Sequence, residues 1–305
     1  VRPTQHARRN ANVRGGGMKI IVSYEDRVRP DSTGIYFKRA AEQLGHEVQH
    51  VYPDDIHKVK PGDADFFLKV DDGLPEQVWN PELHPSAYYA IDVHLDTDWR
   101  LKFVEAGKFD YVTVAQSCGL DLPWHVNPSY LALGCDPEIH HVGEREKVYD
   151  GCFIGNFHTQ HAGARVETVH AFFDVVPKLY FGNRMFREMT EKYAQSKLVL
   201  NQAINHDVGM RPFEAMCSGS CLVSPRLPDM ERLGFIDGVH YAAYSDLDEL
   251  RSVVKDLLAN DAKREGIARN GRRVSISHTY AVRLRELLEK LPNKKELEHG
   301  TTVSR

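Results

Sequence analysis

A chain of 305 residues, 42% hydrophobic and 27% charged, is long for one core and comfortable for two domains of ordinary size. Its formal net charge of −4 argues against a nucleic-acid binder whose affinity rests on neutralising phosphates, and no uncharged apolar run reaches the length of a membrane span. Five cysteines, Cys118, Cys135, Cys152, Cys217 and Cys221, are odd in number, mostly flanked by apolar or small residues and without a Cys-x-x-Cys pair; they read as reduced core thiols of a cytoplasmic protein.

Residues 1–17 hold four arginines, three consecutive glycines and almost nothing to bury, which predicts a basic disordered tail. Ile20 to Val22 then reads as a first strand. Ser32 is placed to cap a helix running to about Leu44, with Ile35, Phe37, Ala40, Ala41 and Leu44 inward, and Gly45 to end it. Glu47 to Tyr52, Asp65 to Val70, Ala87 to Val93 and Phe109 to Val114 read as further strands, with Trp99 to Ala106 as an intervening helix. That alternation is the doubly wound α/β pattern. Acidic residues follow the strands at Asp71, Asp72, Asp92, Asp96 and Asp98.

The polar stretch Glu144 to Tyr149 marks a boundary near Gly143. Asp150 to Asn156 opens a second α/β unit, in which Gly155 and Asn156 follow a strand and precede a helix beginning near Ala162. Glycine there lets the backbone approach a ligand phosphate. His158 and His161 have a metal-type spacing but no nearby Cys or carboxylate, so they read as a solvated loop. Lys178 to Phe181 reads as a strand, and Arg184 beyond it is either a phosphate clamp or a surface arginine.

The most informative stretch runs from Tyr193 to Pro225. Leu198 to Leu200 is a continuous apolar run, as in a strand covered on both faces. A polar loop follows, containing His206 and Asp207. Pro212 suits the first position of a helix, on which Phe213, Ala215 and Met216 can face inward; Gly219 closes it, and Cys221 to Val223 starts another strand. Glu214 therefore lies in the first helical turn at the carboxyl end of a strand, where a carboxylate accepts ribose hydroxyls or only complements the helix dipole. Beyond it, His240 to Tyr244 reads as a strand and Ser245 with Asp248 as a capping box for a helix over 247–258. Asp261 to Arg273 and Thr279 to Leu291 read as closing helices, the latter with Val282, Leu284, Leu287, Leu288 and Leu291 as an apolar stripe. Residues 292–305 are a polar tail.

The segment Arg211, Phe213, Glu214, Ala215, Gly219, preceded by a strand ending in Asn, resembles the signature of GT-B glycosyltransferases of the group 1 type, especially the spore-maturation CgeB-like branch. In the wider group an acidic residue stands eight positions before the Glu. Here that position is His206, with Asp207 adjacent. Ala90 to His94, Phe109 to Val114 and Leu131 to Pro137 also resemble that branch. The resemblance implies two Rossmann-like doubly wound domains facing a central cleft, residues 18–143 on the acceptor side and 144–291 holding a nucleotide-sugar, with the last helix crossing back onto the first domain.

On that reading the protein is a glycosyltransferase of the hexosyltransferase type, moving a sugar from a nucleotide-sugar to an unidentified glycan, protein or small molecule. Glu214 would hold the ribose. Arg211 or Arg184 would sit near the diphosphate, helped by helix-start amides, with Gly155, Asn156, His206, Asp207 and Phe213 completing the donor site. Asp92 or His94 would be the base if the anomeric centre inverts. No metal or cofactor is expected. Asp96 to Asp98 resembles the metal-binding Asp-x-Asp of GT-A transferases, but one of the two also suits a helix cap. The alternatives are a nucleotide-sugar epimerase of the same fold and a non-catalytic nucleotide- or sugar-binding module, for which the departure at His206 speaks.

Overall fold

The computed structural model describes residues 17–75, 77–155, 162–203, 205 and 207–291, which form two parallel α/β units in tandem. In the first, β1 (Lys19–Ser23), α1 (Thr33–Gln43), β2 (Glu47–Val51), β3 (Phe66–Val70), β4 (Ser86–Ala90), α2 (Thr97–Gly107), β5 (Tyr111–Val114) and β6 (Ser129–Tyr130) build a sheet of order β2-β1-β3-β4-β5-β6. A short helix α3 (Pro137–His140) lies in the connection. In the second, β7 (Tyr149–Ile154), α4 (Ala162–Phe173), β8 (Leu179–Gly182), α5 (Phe186–Ala194), β9 (Ser196–Leu200), α6 (Arg211–Cys217), β10 (Cys221–Pro225), α7 (Pro228–Arg232) and β11 (Ala242–Tyr244) build a sheet of order β11-β10-β9-β7-β8. The chain continues through α8 (Leu247–Ala259), α9 (Asp261–Ser275) and α10 (Tyr280–Leu288).

All pairings within the two sheets are parallel. Parallel strands joined by helices are covered on both faces, which is why Phe66 to Val70 and Leu198 to Leu200 are unbroken apolar or buried runs. The order of strands reverses between β1 and β3 in the first sheet and between β7 and β9 in the second. Connections leave such neighbours toward opposite faces, so a crevice opens outside their carboxyl ends.

The end of the described chain returns to the first unit. Tyr280 of α10 stacks on Tyr36 of α1 with ring centroids 5.0 Å apart and planes within 9°. Cys135 N donates to His278 O at 2.9 Å, and Tyr280 N donates to Cys135 O at 3.1 Å. A Cβ on Gly134 would lie 2.7 Å from His278 O, so only glycine lets these two segments touch.

Several local expectations are corrected. In α1 Phe37, Ala40 and Ala41 are buried as expected and Ile35 and Leu44 pack partly buried against the core, but the core also takes Tyr36, which the sequence reading left out. The box expected at Ser245 and Asp248 sits one residue later: Asp246 Oδ1 accepts from Asp248 N and Glu249 N, while Glu249 Oε2 accepts from Ser245 N. Cys118 is exposed, on the turn after β5, whereas the other four thiols are buried. α5 is a helix beyond those expected from sequence; it buries Met189 and Tyr193 at helical spacing between polar residues. No helix among the described residues is long and apolar enough to cross a membrane.

Candidate active site

The second sheet's switch point is occupied by one guanidinium. Arg211, at the start of α6, donates from Nη2 to Ile154 O at the end of β7 (2.8 Å) and from Nη1 to Asn201 Oδ1 just beyond β9 (3.3 Å). Asn201 is in turn oriented by Nδ2 donating to Ser224 Oγ at 2.9 Å. The guanidinium lies over the Phe153 ring, 5.0 Å from its centroid. A Cβ on Gly155 would stand 3.0 Å from Arg211 Nη2, so this glycine makes room for the arginine. Asn156 and His206, assigned to the donor site from sequence, lie outside the described residues, as do His158 and His161.

Three residues on, Glu214 is 6% exposed. Burial pushes its carboxyl up to about 7; Arg211 opposes that rise and Asp31 adds to it. Glu214 Oε1 lies 3.7 Å from Nε2 of His140, a fully buried residue of α3 that sequence reasoning missed. Phe213, expected both to face inward and to join the donor site, takes the inward position. It is wholly buried with its ring 5.8 Å from that of Phe235, because adjacent helical residues point about 100° apart. The helix-start amides of Phe213 and Glu214 both donate to Met210 O, and Pro212 has no N–H.

Opposite, the loop after β4 carries Asp92 and His94. Asp92 adopts a left-handed backbone, φ 51°, rare for a residue other than glycine and tolerated best by Asn and Asp. Gln116, also missed from sequence, holds it there: Asp92 N donates to Gln116 Oε1 at 3.0 Å. The loop is braced by Asp71, whose Oδ2 accepts from Ile91 N (3.2 Å) and from Arg100 Nε of α2 (2.6 Å). Asp72 is likewise engaged, with Lys69 Nζ at 2.7 Å.

His94 Nδ1 and Asp207 Oδ2 meet at 3.0 Å across the cleft, close enough for an ion pair although the angle is not that of a hydrogen bond. Burial works against protonation of His94, but Asp207 and Asp92 outweigh it and raise its pKa. Asp92 is raised as well, by burial and then by Asp207. Two predicted residues of the acceptor side and one of the donor side are thus brought into one electrostatic unit. The halves also touch where Ser117 N donates to Asp229 Oδ2 (2.9 Å) and Thr33 Oγ1 to Met210 Sδ (3.8 Å).

Arg184 is not drawn into this group. It is half-exposed on the loop after the edge strand β8, donating to Asn183 O and lying 3.6 Å from Glu188. Asp96 precedes α2 but its side chain makes no cap hydrogen bond, and both Asp96 and Asp98 are exposed. Among the described residues no three His, Cys, Asp or Glu side chains converge as metal ligands. The arrangement offers a fixed cation at a strand-end crevice, a carboxylate beside it, and a paired acid and base opposite.

A family model described as glycosyl transferase-like matches residues 157–289. Among solved structures, Anabaena HepE in complex with UDP and glucose superposes with a TM-score of 0.65 at 11% identity, covering 90% of this chain and 100% of that one. Sucrose-phosphate synthase from Thermosynechococcus elongatus gives a TM-score of 0.63 at 12% identity, covering 89% and 98%. Sulfate adenylyltransferase subunit 2 of Aeromonas hydrophila is 28% identical over 154 residues, 44% of this chain and 50% of that protein. The chain spans about half the length of the curated relatives it matches. The two sheets with their helices form the fold of GT-B glycosyltransferases.

Proposed function

We propose that this protein is a glycosyltransferase that moves a hexosyl group from a nucleoside diphosphate sugar to an acceptor hydroxyl, in the cytoplasm and without a metal ion. The observation that carries the reading is Arg211 spanning the carboxyl ends of β7 and β9 at the second sheet's switch point. A fixed guanidinium there meets the charge that builds on a departing diphosphate. The glycosyl transferase-like match over residues 157–289 and the UDP complex of HepE support the same donor chemistry. The motif from Arg211 to Gly219 favours the CgeB-like branch within it.

Glu214 accepts the ribose hydroxyls, and residues 18–143 present the acceptor on the loops after β1, β3 and β4. If the anomeric centre inverts, Asp92 is the better base of the two candidates, because its raised pKa makes it more basic than a free aspartate, whereas His94 holds its proton between two carboxylates.

Calorimetric titration with UDP and 2′-deoxy-UDP tests the site. Wild type should prefer UDP, and Glu214→Gln should lose at least roughly tenfold in UDP affinity together with the preference, each charge-assisted bond being worth about 1.5–3 kcal/mol. Equal affinity of wild type for both nucleotides removes Glu214 from the ribose. Turnover of a nucleotide-sugar panel should persist in excess chelator; activity abolished by chelation and restored by manganese or magnesium would sink the metal-free mechanism. Isomerised donor would identify an epimerase instead, and binding without turnover a binding module.

A further inference from the structure

His140 ends α3 and is fully buried. Its Nδ1 accepts a hydrogen bond from Asp136 N at 2.9 Å. A ring nitrogen that accepts an N–H bears no proton, so the neutral ring carries its proton on Nε2. Burial pushes His140 down to about 4, so the ring is neutral at physiological pH. Nε2 has no hydrogen-bond partner among the described residues and lies 3.7 Å from Glu214 Oε1. A shift of roughly half an ångström makes that a hydrogen bond.

The frame behind the ring is rigid. Asp136 caps α3 through Glu138 N (3.0 Å) and is tied to α1 by Arg39 Nε at 2.5 Å. Tyr36 of α1 packs on the imidazole with centroids 5.2 Å apart. Arg187 of α5 donates to Glu138 O at 3.1 Å. A helix of four residues thus sets one imidazole against the one carboxylate of α6.

We propose that His140 is the positioning residue of Glu214: its Nε2–H takes Oε1 and leaves the remaining lone pairs of the carboxylate for the ribose hydroxyls of a nucleoside diphosphate. This rests on the donor-site reading above. A carboxylate that must meet two hydroxyls at once needs one oxygen fixed, and an N–H donor also favours the ionised form that accepts. Arg211 on its own helix works in the same direction. Burial and Asp31, from the loop before α1, work against it, and Tyr36, Tyr193 and Tyr280 complete the charged or titratable surroundings.

The test is NMR of the imidazole nitrogens and side-chain carboxyls of the full chain from about pH 5 to about pH 9, with UDP affinity measured alongside. Wild type should show the Nε2–H tautomer throughout, with its Nε2 resonance moving as Glu214 titrates. In His140→Leu the Glu214 midpoint should rise by about one unit and UDP affinity near neutral pH should fall several-fold, recovering as the pH is raised. His140→Gln, whose amide N–H can stand near Nε2, should restore most of both. An Nδ1–H tautomer in wild type, or a Glu214 midpoint unchanged in His140→Leu, overturns the proposal; the tautomer and the Nε2 titration need only wild type, so they decide even if the leucine variant does not fold. Coupling of Nε2 to Glu214 with UDP affinity indifferent to both side chains leaves the hydrogen bond standing and overturns the ribose role itself.

Discussion

Glu214 is under two opposed demands, and they separate by pH. Its folded value of about 7 stands above the unfolded 4.5, so its contribution to stability is fully present below about 4.5 and is lost as the pH rises through about 7. Glu214→Gln abolishes the charge that burial penalises. We expect the variant to be more stable than wild type at pH 8, by up to about 3 kcal/mol, and no more stable at pH 4.5. Urea unfolding at the two pH values measures it, and parallel pH profiles for the two proteins would show that Glu214 is not desolvated. A substitution that stabilises the fold while weakening UDP is the mark of a group held ionisable for a ligand. Arg211 and Glu214 were legible in the sequence because they lie inside one short motif at a strand end. Phe213 takes the inward face that its place beside Ala215 and Met216 predicts. His140 and Gln116 gave no sign at all, since each earns its place through a partner distant in sequence, Glu214 for one and Asp92 for the other.

At the scale of elements, the parallel strands were legible because burial on both faces writes them as continuous apolar runs, as in Ile20 to Val22 and Leu198 to Leu200. β6 escaped because two residues, Ser129 and Tyr130, carry no period; it exists by pairing with β5 and by the cover of the returning chain, where Lys290 Nζ donates to Ser129 Oγ at 2.6 Å. The cap of α8 was legible to within a residue, whereas Ser32 stands at the N-cap of α1 without a side-chain cap hydrogen bond. Asp246 accepts two amides and is reciprocated by Glu249, whereas the Ser245 hydroxyl meets the exposed Arg226 at 3.1 Å and the Glu249 carboxylate. Asp246→Ala should therefore cost about 1 kcal/mol of stability, and Ser245→Ala less than about 0.5 kcal/mol. Thermal unfolding of the two variants ranks them, and a larger loss for Ser245→Ala would return the cap to the serine.

Across the whole molecule, the two halves share a buried apolar seam that includes Tyr36, Phe213 and Tyr280, and beside it lie polar contacts that respond differently to pH. The Ser117 to Asp229 bond joins a backbone amide to a carboxylate, but the pair of His94 and Asp207 depends on a protonated imidazole. The His94 value is raised above its ordinary 6.5, because Asp207 and Asp92 prevail over burial and the repulsion of Arg100. The stabilisation from that pair is fully present below about 6.5 and is lost as the pH rises through the folded value. The contact across the cleft should then weaken on the alkaline side, and the molecule should open about the connection near Gly143. A nucleotide bound at Arg211 acts in the opposite sense, because a ligand held by one half gains contacts with the other only when the two approach. Small-angle scattering should show a radius of gyration that grows from pH 6 to pH 9 in wild type, stays nearly constant over that range in Asp207→Asn, and contracts in both on saturation with UDP. A wild-type radius indifferent to pH would remove His94 and Asp207 as a latch, and one indifferent to saturating UDP would remove closure from the catalytic cycle while leaving the donor site at Arg211 and Glu214 in place.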